Sequence, residues 1–270
     1  MRRLLGLFAF LGMAAGVAAP PEVEARFESG TATGADGRTF PYRIHHPEGI
    51  GADDPVPLVV FLHGAGERGD DNRRQLRHFP ERWVREAHLG RRHRAVVIAV
   101  QCPQGEWWSE ADRNADDVLL PTAGAGMPSP LTAVLRRVRE LAADPAIDER
   151  RIYLTGLSMG GFGSWALLAH RPDLFAAAAP ICGAGDVTAA GRIAAGRTPV
   201  WAVHGGADDV VLPERSREMV EAIRAAGGRV GYTEIPRMGH DSWSWAYGPG
   251  GLMEWMFAQR RETEPRFDAP

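Results

Sequence analysis

Residues 151–170 read RIYLTGLSMGGFGSWALLAH. The first half is an apolar run that ends on Ser158, and the second is a small and apolar run that Pro172 closes. A buried strand therefore enters the serine and a helix leaves it. Gly156 and Gly160 complete the pattern G-x-S-x-G, which needs this context: the glycines let strand and helix pass closely while the serine side chain stands out at the head of a sheet. A plain glycine-rich helix start would explain the glycines but not a strand that stops at the serine. Gly161 and Gly163 extend the small face that lets the helix sit tightly on the sheet.

Working outward, the same kind of strand recurs. PLVVFLHG (57–64), AVVIAVQCP (95–103) and PVWAVHGG (199–206) are continuous apolar runs, and FAAAAPICG (175–183) is a weaker fifth. Such runs mark strands buried on both faces of a parallel sheet. Helical patterns are predicted between them over residues 72–88, 131–143, 158–170 and 213–226. Before the first run, VEARFES (23–29) and RTFPYRIHHP (38–47) read as a hairpin turning at GADG (34–37). Alternating buried strands and helices specify an α/β protein: a mostly parallel doubly wound sheet with an N-terminal antiparallel hairpin. No second hydrophobic unit is visible, so one domain is expected over residues 22–262. The long irregular stretch at 105–130 follows the carboxyl end of a strand, where open α/β sheets place ligands.

Composition excludes some chemistries. The 270 residues carry a net charge of −3, which gives no electrostatic reason for a nucleic-acid partner. All 31 basic residues are arginine, so a lysine Schiff base or a Walker-type phosphate lysine is excluded. MRRLLGLFAFLGMAAGVAAP sets two arginines before an apolar stretch and small residues, the pattern of an export signal over residues 1–19. The apolar stretch is short for a stable membrane anchor, so a periplasmic or secreted protein is expected. Oligomeric state is not legible.

A serine hydroxyl needs a general base, and the base needs an orienting acid. VHGGADDVVLP places Asp208 and Asp209 in the turn beyond a buried strand, and RMGHDSW places His240 in a later loop. Asp208 suits the H-G-x-x-D turn better, with Asp209 as the alternative. Of the nine histidines, His63 and His204 precede glycines at strand ends, where a ring packs or supports a loop. Oxyanion donors are expected from the backbone amides of Met159, after the serine, and Ala65, in HGAGERG. That loop lacks the lysine and spacing of a phosphate loop.

Together LHGAGERGDDN, VQCPQ, IDERRIYLTGLSMGGFGSW, LFAAAAPICG, VWAVHGGADDVV and MGHDSW resemble exported serine esterases of the α/β-hydrolase superfamily. The likeness is to the group of polyhydroxybutyrate depolymerases and prolyl-oligopeptidase-type peptidases, from about residue 42 to 256. The resemblance implies the α/β-hydrolase fold and hydrolysis of small or oligomeric carboxylic esters through an acyl-enzyme, without cofactor or metal. A peptidase of prolyl-oligopeptidase type and a non-catalytic binding protein of this fold are the alternatives. The strand order usual in this fold also sets two strands between Cys102 and Cys182, which implies free, buried thiols rather than a bridge. Among the eight tryptophans, Trp107, Trp108 and Trp243 are expected to border the substrate. Glu67 and Arg68 are expected to pair and shape the oxyanion loop.

Overall fold

The computed structural model describes residues 17–263 apart from 88, 114–118, 125, 249 and 250. Most of the expected export signal lies outside these residues. Among the described residues no helix is long and apolar enough to cross a membrane.

The strands are β1 (Glu28–Thr33), β2 (Thr39–His45), β3 (Val56–Leu62), β4 (Val96–Val100), β5 (Ala111–Arg113), β6 (Leu119–Pro121), β7 (Ile147–Leu157), β8 (Ala177–Ile181), β9 (Val200–Gly205) and β10 (Val230–Ile235). Eight of them form one sheet in the order β1-β2-β4-β3-β7-β8-β9-β10. β1 and β2 pair antiparallel, as do β2 and β4, and every later neighbour is parallel. β5 and β6 form a separate antiparallel pair within the insertion. The helices are α1 (Pro21–Glu24), α2 (Phe79–Arg85), α3 (Gly90–His93), α4 (Ser129–Ala142), α5 (Met159–His170), α6 (Ala190–Ala195), α7 (Glu214–Ala225), α8 (Trp243–Ala246) and α9 (Leu252–Phe257).

The double burial read from the apolar runs has a direct structural cause. In β3, Leu58, Val60 and Leu62 enter one core with Leu131 and Val134 of α4, Trp165 of α5 and Val220 of α7. Val59 and Phe61 enter the other with Phe79 and Trp83 of α2 and Met253 and Met256 of α9. Successive side chains point to opposite faces, so a strand covered on both sides must be apolar throughout. Each such large side chain contributes about 1.5–3 kcal/mol when fully buried. α4, α5, α6 and α7 cover the first face, while α2 and α9 cover the second.

Some local expectations are corrected. The first hairpin strand is β1, five residues later than VEARFES, because Pro21 starts a short helix and Val23 and Phe27 both turn into the second core. The turn at 34–37 does stand where expected, with Gly37 at φ +83°. The helix expected over 72–88 is broken at His78, whose φ of +63° no helix accommodates, leaving a 3-10 turn at Arg74–Leu76 before it and the α-helix Phe79–Arg85 after it. β10 carries no apolar run, since it is a half-buried edge strand.

Candidate active site

The site lies beyond the carboxyl ends of β3, β7, β8 and β9, where the chain turns from sheet to helix. Ser158 stands between β7 and α5 at φ +52° and ψ −118°, a strained backbone for a residue with a side chain. The strain is held by packing. A methyl group on Gly160 would overlap the Leu62 carbonyl, and one on Gly156 would overlap the Gly160 carbonyl, so α5 rests directly on the ends of β3 and β7. Ser158 N donates to Ile181 O at 2.9 Å, tying the turn to β8.

Two loops deliver the partners. Ala207 N donates to Met238 O at 2.8 Å, and a Cβ on Gly205 would overlap the Gly239 carbonyl, so the turns after β9 and β10 are in backbone contact. His240 Nε2 lies 2.9 Å from Ser158 Oγ, and His240 Nδ1 lies 2.8 Å from Asp208 Oδ2. Asp208 accepts from the amides of Val210 and Val211 on Oδ1, each at 3.0 Å. Burial opposes ionisation of this carboxyl, but the donors from His204, His240 and Val211 outweigh it and hold it well below the usual carboxylate range. An ionised Asp208 fixes the His240 tautomer: Nδ1 donates to the carboxylate, leaving Nε2 free to accept the serine proton. Asp209 is exposed and makes no contact with His240 in this arrangement.

Ala65 opens a 3-10 turn (Ala65–Glu67) and Met159 opens α5, so both amides are among the N–H groups that a helix start leaves without an internal partner. Arg68 Nε donates to Ala65 O at 2.9 Å, and its guanidinium lies over the Trp107 ring at 5.6 Å. The expected Glu67–Arg68 pair is not formed. Glu67 is buried and faces His78 Nε2 at 3.4 Å instead, because the 3-10 turn points the two neighbours to opposite sides.

The three tryptophans divide. Trp243 is partly exposed, edge-on to His240 with ring centres 5.3 Å apart. Trp107 is partly exposed and packs against Phe162 of α5. Trp108 does not fit a substrate contact: it is fully buried, with Nε1 donating to His63 O at 2.9 Å and its side chain filling the space over Gly163. A cavity of about 220 Å³ lies beside α5, lined by Ser109, Phe162, Trp165, Ala166 and Ala184.

Three contacts were not legible as functional. His204 is buried beside Asp208 and Ser216 beside His204; the first was read only as a ring that packs or supports a loop, and nothing pointed to the second. Cys182 Sγ, an Asp208 oxygen and a His240 nitrogen lie within 4.8 Å of one another. As a metal donor set the trio is poor, since Asp208 and His240 are committed to each other and burial pushes the thiol above its ordinary range. Cys182 and Cys102 are both free and buried.

The chain is similar to several known proteins. The model of the prolyl oligopeptidase family matches residues 131–195, from α4 through Ser158 to α6. Poly(3-hydroxyalkanoate) depolymerase C of Paucimonas lemoignei is 31% identical over 146 residues, covering 52% of this chain and 30% of the relative. NocK of Nocardia uniformis subsp. tsuyamanensis, named as an esterase, is 29% identical over 175 residues, covering 64% of this chain and 46% of its own. A solved thermostable esterase superposes with a TM-score of 0.78 at 38% identity, over 89% of this chain and 64% of that one. The chain thus spans under half the length of the two curated relatives and 64% of the solved esterase.

Proposed function

We propose that this chain, which has the α/β-hydrolase fold, is a serine hydrolase of carboxylic esters. The observation that carries the reading is the unbroken line Ser158 Oγ, His240 Nε2, His240 Nδ1, Asp208 Oδ2, with contacts of 2.9 and 2.8 Å on a strained strand-to-helix turn.

In the proposed cycle His240 Nε2 takes the hydroxyl proton as Ser158 Oγ bonds to the ester carbonyl carbon. The carbonyl oxygen becomes an oxyanion, held by the amides of Ala65 and Met159. Collapse breaks the bond to the alcohol oxygen, which takes the proton from His240 and leaves. Water, deprotonated by the same nitrogen, then attacks the acyl-enzyme and returns Ser158 with release of the acid. Asp208 stays ionised and steadies the imidazolium of each step. Trp107 and Trp243 are proposed to flank the substrate, whose rings or chains their faces can cover. The arginine-led apolar leader favours export.

Ser158→Ala is expected to lower turnover of short p-nitrophenyl esters by at least about 10⁴-fold in folded protein. Turnover at the wild-type rate would overturn the mechanism. The prolyl oligopeptidase match over residues 131–195 supports peptide hydrolysis as the second reading. A panel of acetyl, aryl, feruloyl, hydroxybutyrate-oligomer and peptide substrates separates the two. Failure of a fluorophosphonate to label Ser158 would instead favour a non-catalytic binding protein.

A further inference from the structure

We propose that His204 is a positioning residue for the triad, one that fixes the turn bearing Asp208 and through it the orientation of His240. The proposal rests on the esterase reading. His204 is the penultimate residue of β9 and is fully buried. Its Nε2 faces two acceptors, Val211 O at 2.8 Å and Asp208 Oδ2 at 3.2 Å. Neither can donate, so Nε2 carries the hydrogen.

The shorter contact closes the turn from inside. Val211, whose carbonyl His204 holds, is also one of the two residues whose amides donate to Asp208 Oδ1. The carboxylate is thereby held at both oxygens: Oδ1 by the amides of Val210 and Val211, Oδ2 by His240, with His204 Nε2 3.2 Å away. It cannot rotate without breaking a bond at the far oxygen.

The other side of the ring is anchored as well. His204 Nδ1 lies 2.7 Å from Ser216 Oγ on α7, and that oxygen lies 3.1 Å from Gly183 O. Gly183 follows Cys182 in the chain leaving β8, the strand whose Ile181 carbonyl receives Ser158 N. With Nε2 protonated, Nδ1 accepts the single Ser216 hydroxyl proton, and Gly183 O is a close polar neighbour of Ser216. A polar chain therefore runs from Ser216 on α7 through His204 to the acid and on through His240 to Ser158 Oγ. The charged groups facing His204 are Asp208 on its own turn and Glu234, its register partner on β10, which is paired with Arg217 at 2.6 Å. A ring that only filled space would need neither of these two-ended contacts, and buried networks of this kind rigidify what they connect.

The test compares wild type with His204→Leu, His204→Gln and Ser216→Ala. Active sites are counted by fluorophosphonate titration, and kcat and KM for p-nitrophenyl butyrate are expressed per titrated site. His204→Leu is expected to lose about 10- to 100-fold in kcat with KM within about twofold, as losses of a supporting hydrogen bond do. His204→Gln, whose amide can reach the Nε2 position, is expected to recover most of that loss. Ser216→Ala is expected to fall between, and it carries the test if the leucine variant does not fold. A second readout is the downfield proton resonance of His240 Nδ1–H, kept in His204→Gln and weakened in His204→Leu. Wild-type kcat per site in the leucine and alanine variants, or equal loss with leucine and glutamine, overturns the proposal. Absence of any turnover that depends on Ser158 would strike the esterase reading instead, and the resonance would still report whether His204 holds the pair.

Discussion

Asp208 and Asp209 are neighbours in sequence and opposites in environment. Asp208 is 3% exposed, receives donors from His240 and two amides and has His204 Nε2 3.2 Å away, whereas Asp209 is exposed to solvent. Asp208→Asn would hold His240 in the wrong tautomer, so kcat is expected to fall by about 10⁴-fold with the fold intact. Asp209→Asn is expected to stay within about twofold, and steady-state kinetics on the two variants decides between the residues. Order along the chain limits the acid to this pair and the H-G-x-x-D spacing favours Asp208, but neither shows which carboxylate the turn buries. The same blindness explains Trp108, indistinguishable from Trp107 as a letter but directed beneath His63 instead of toward the cleft. His204 and Ser216 are twelve residues apart in sequence and meet only because α7 returns alongside β9.

At the scale of elements, the contact of α5 with the sheet decides where the nucleophile stands. Gly160 leaves no room for a Cβ against Leu62 O, and Gly161 none against the carbonyl of Ile181 or the backbone of Gly183. Gly160→Ala must push the helix off β3, which is expected to cost about 1–3 kcal/mol or more in stability. Because Ser158 sits at the pivot, fluorophosphonate labelling is expected to fall more than thermal stability alone explains; labelling at the wild-type rate would show that the elbow tolerates the shift. These elements were legible because buried parallel strands must be mostly apolar, as β3 and β4 are throughout and β9 is up to His204, while α4 and α7 repeat their apolar residues at helical spacing. β10 and the true start of the hairpin were not, since an edge strand buries little and leaves its side chains free to be polar.

At the scale of the molecule, the order of strands sets what the two cysteines can do and the burial of histidines sets how the fold answers to acid. β3 and β7 lie between the strands that Cys102 and Cys182 follow, a separation of about 14 Å at ~4.8 Å per strand. Intact mass of the purified protein is therefore expected to show two free thiols. The histidines act on the global stability. Burial lowers the pKa of His45, His63 and His170, and pushes His63 down to about 4. His63 has no exposed surface; its Nε2 accepts from Cys102 N at 2.9 Å and Nδ1 donates to Gly64 O at 2.7 Å, so a second proton breaks a bond that holds the oxyanion loop. The folded value lies below the ordinary value of 6.5, so between these pH values the unfolded chain binds the proton more tightly. The stability that neutral His63 contributes is complete above about pH 6.5, falls by about 1.4 kcal/mol per pH unit below it, and is exhausted near pH 4 at a total of about 3 kcal/mol. His45 and His170 act in the same direction, and ionised Asp208 adds a loss at still lower pH because its folded value is depressed as well. Urea unfolding measured from pH 7.5 to 4.5 is expected to show this decline. His63→Asn should be less stable at neutral pH, where its bonds are imperfect, yet follow a shallower slope; equal slopes in the two proteins would mean that another group takes up the proton.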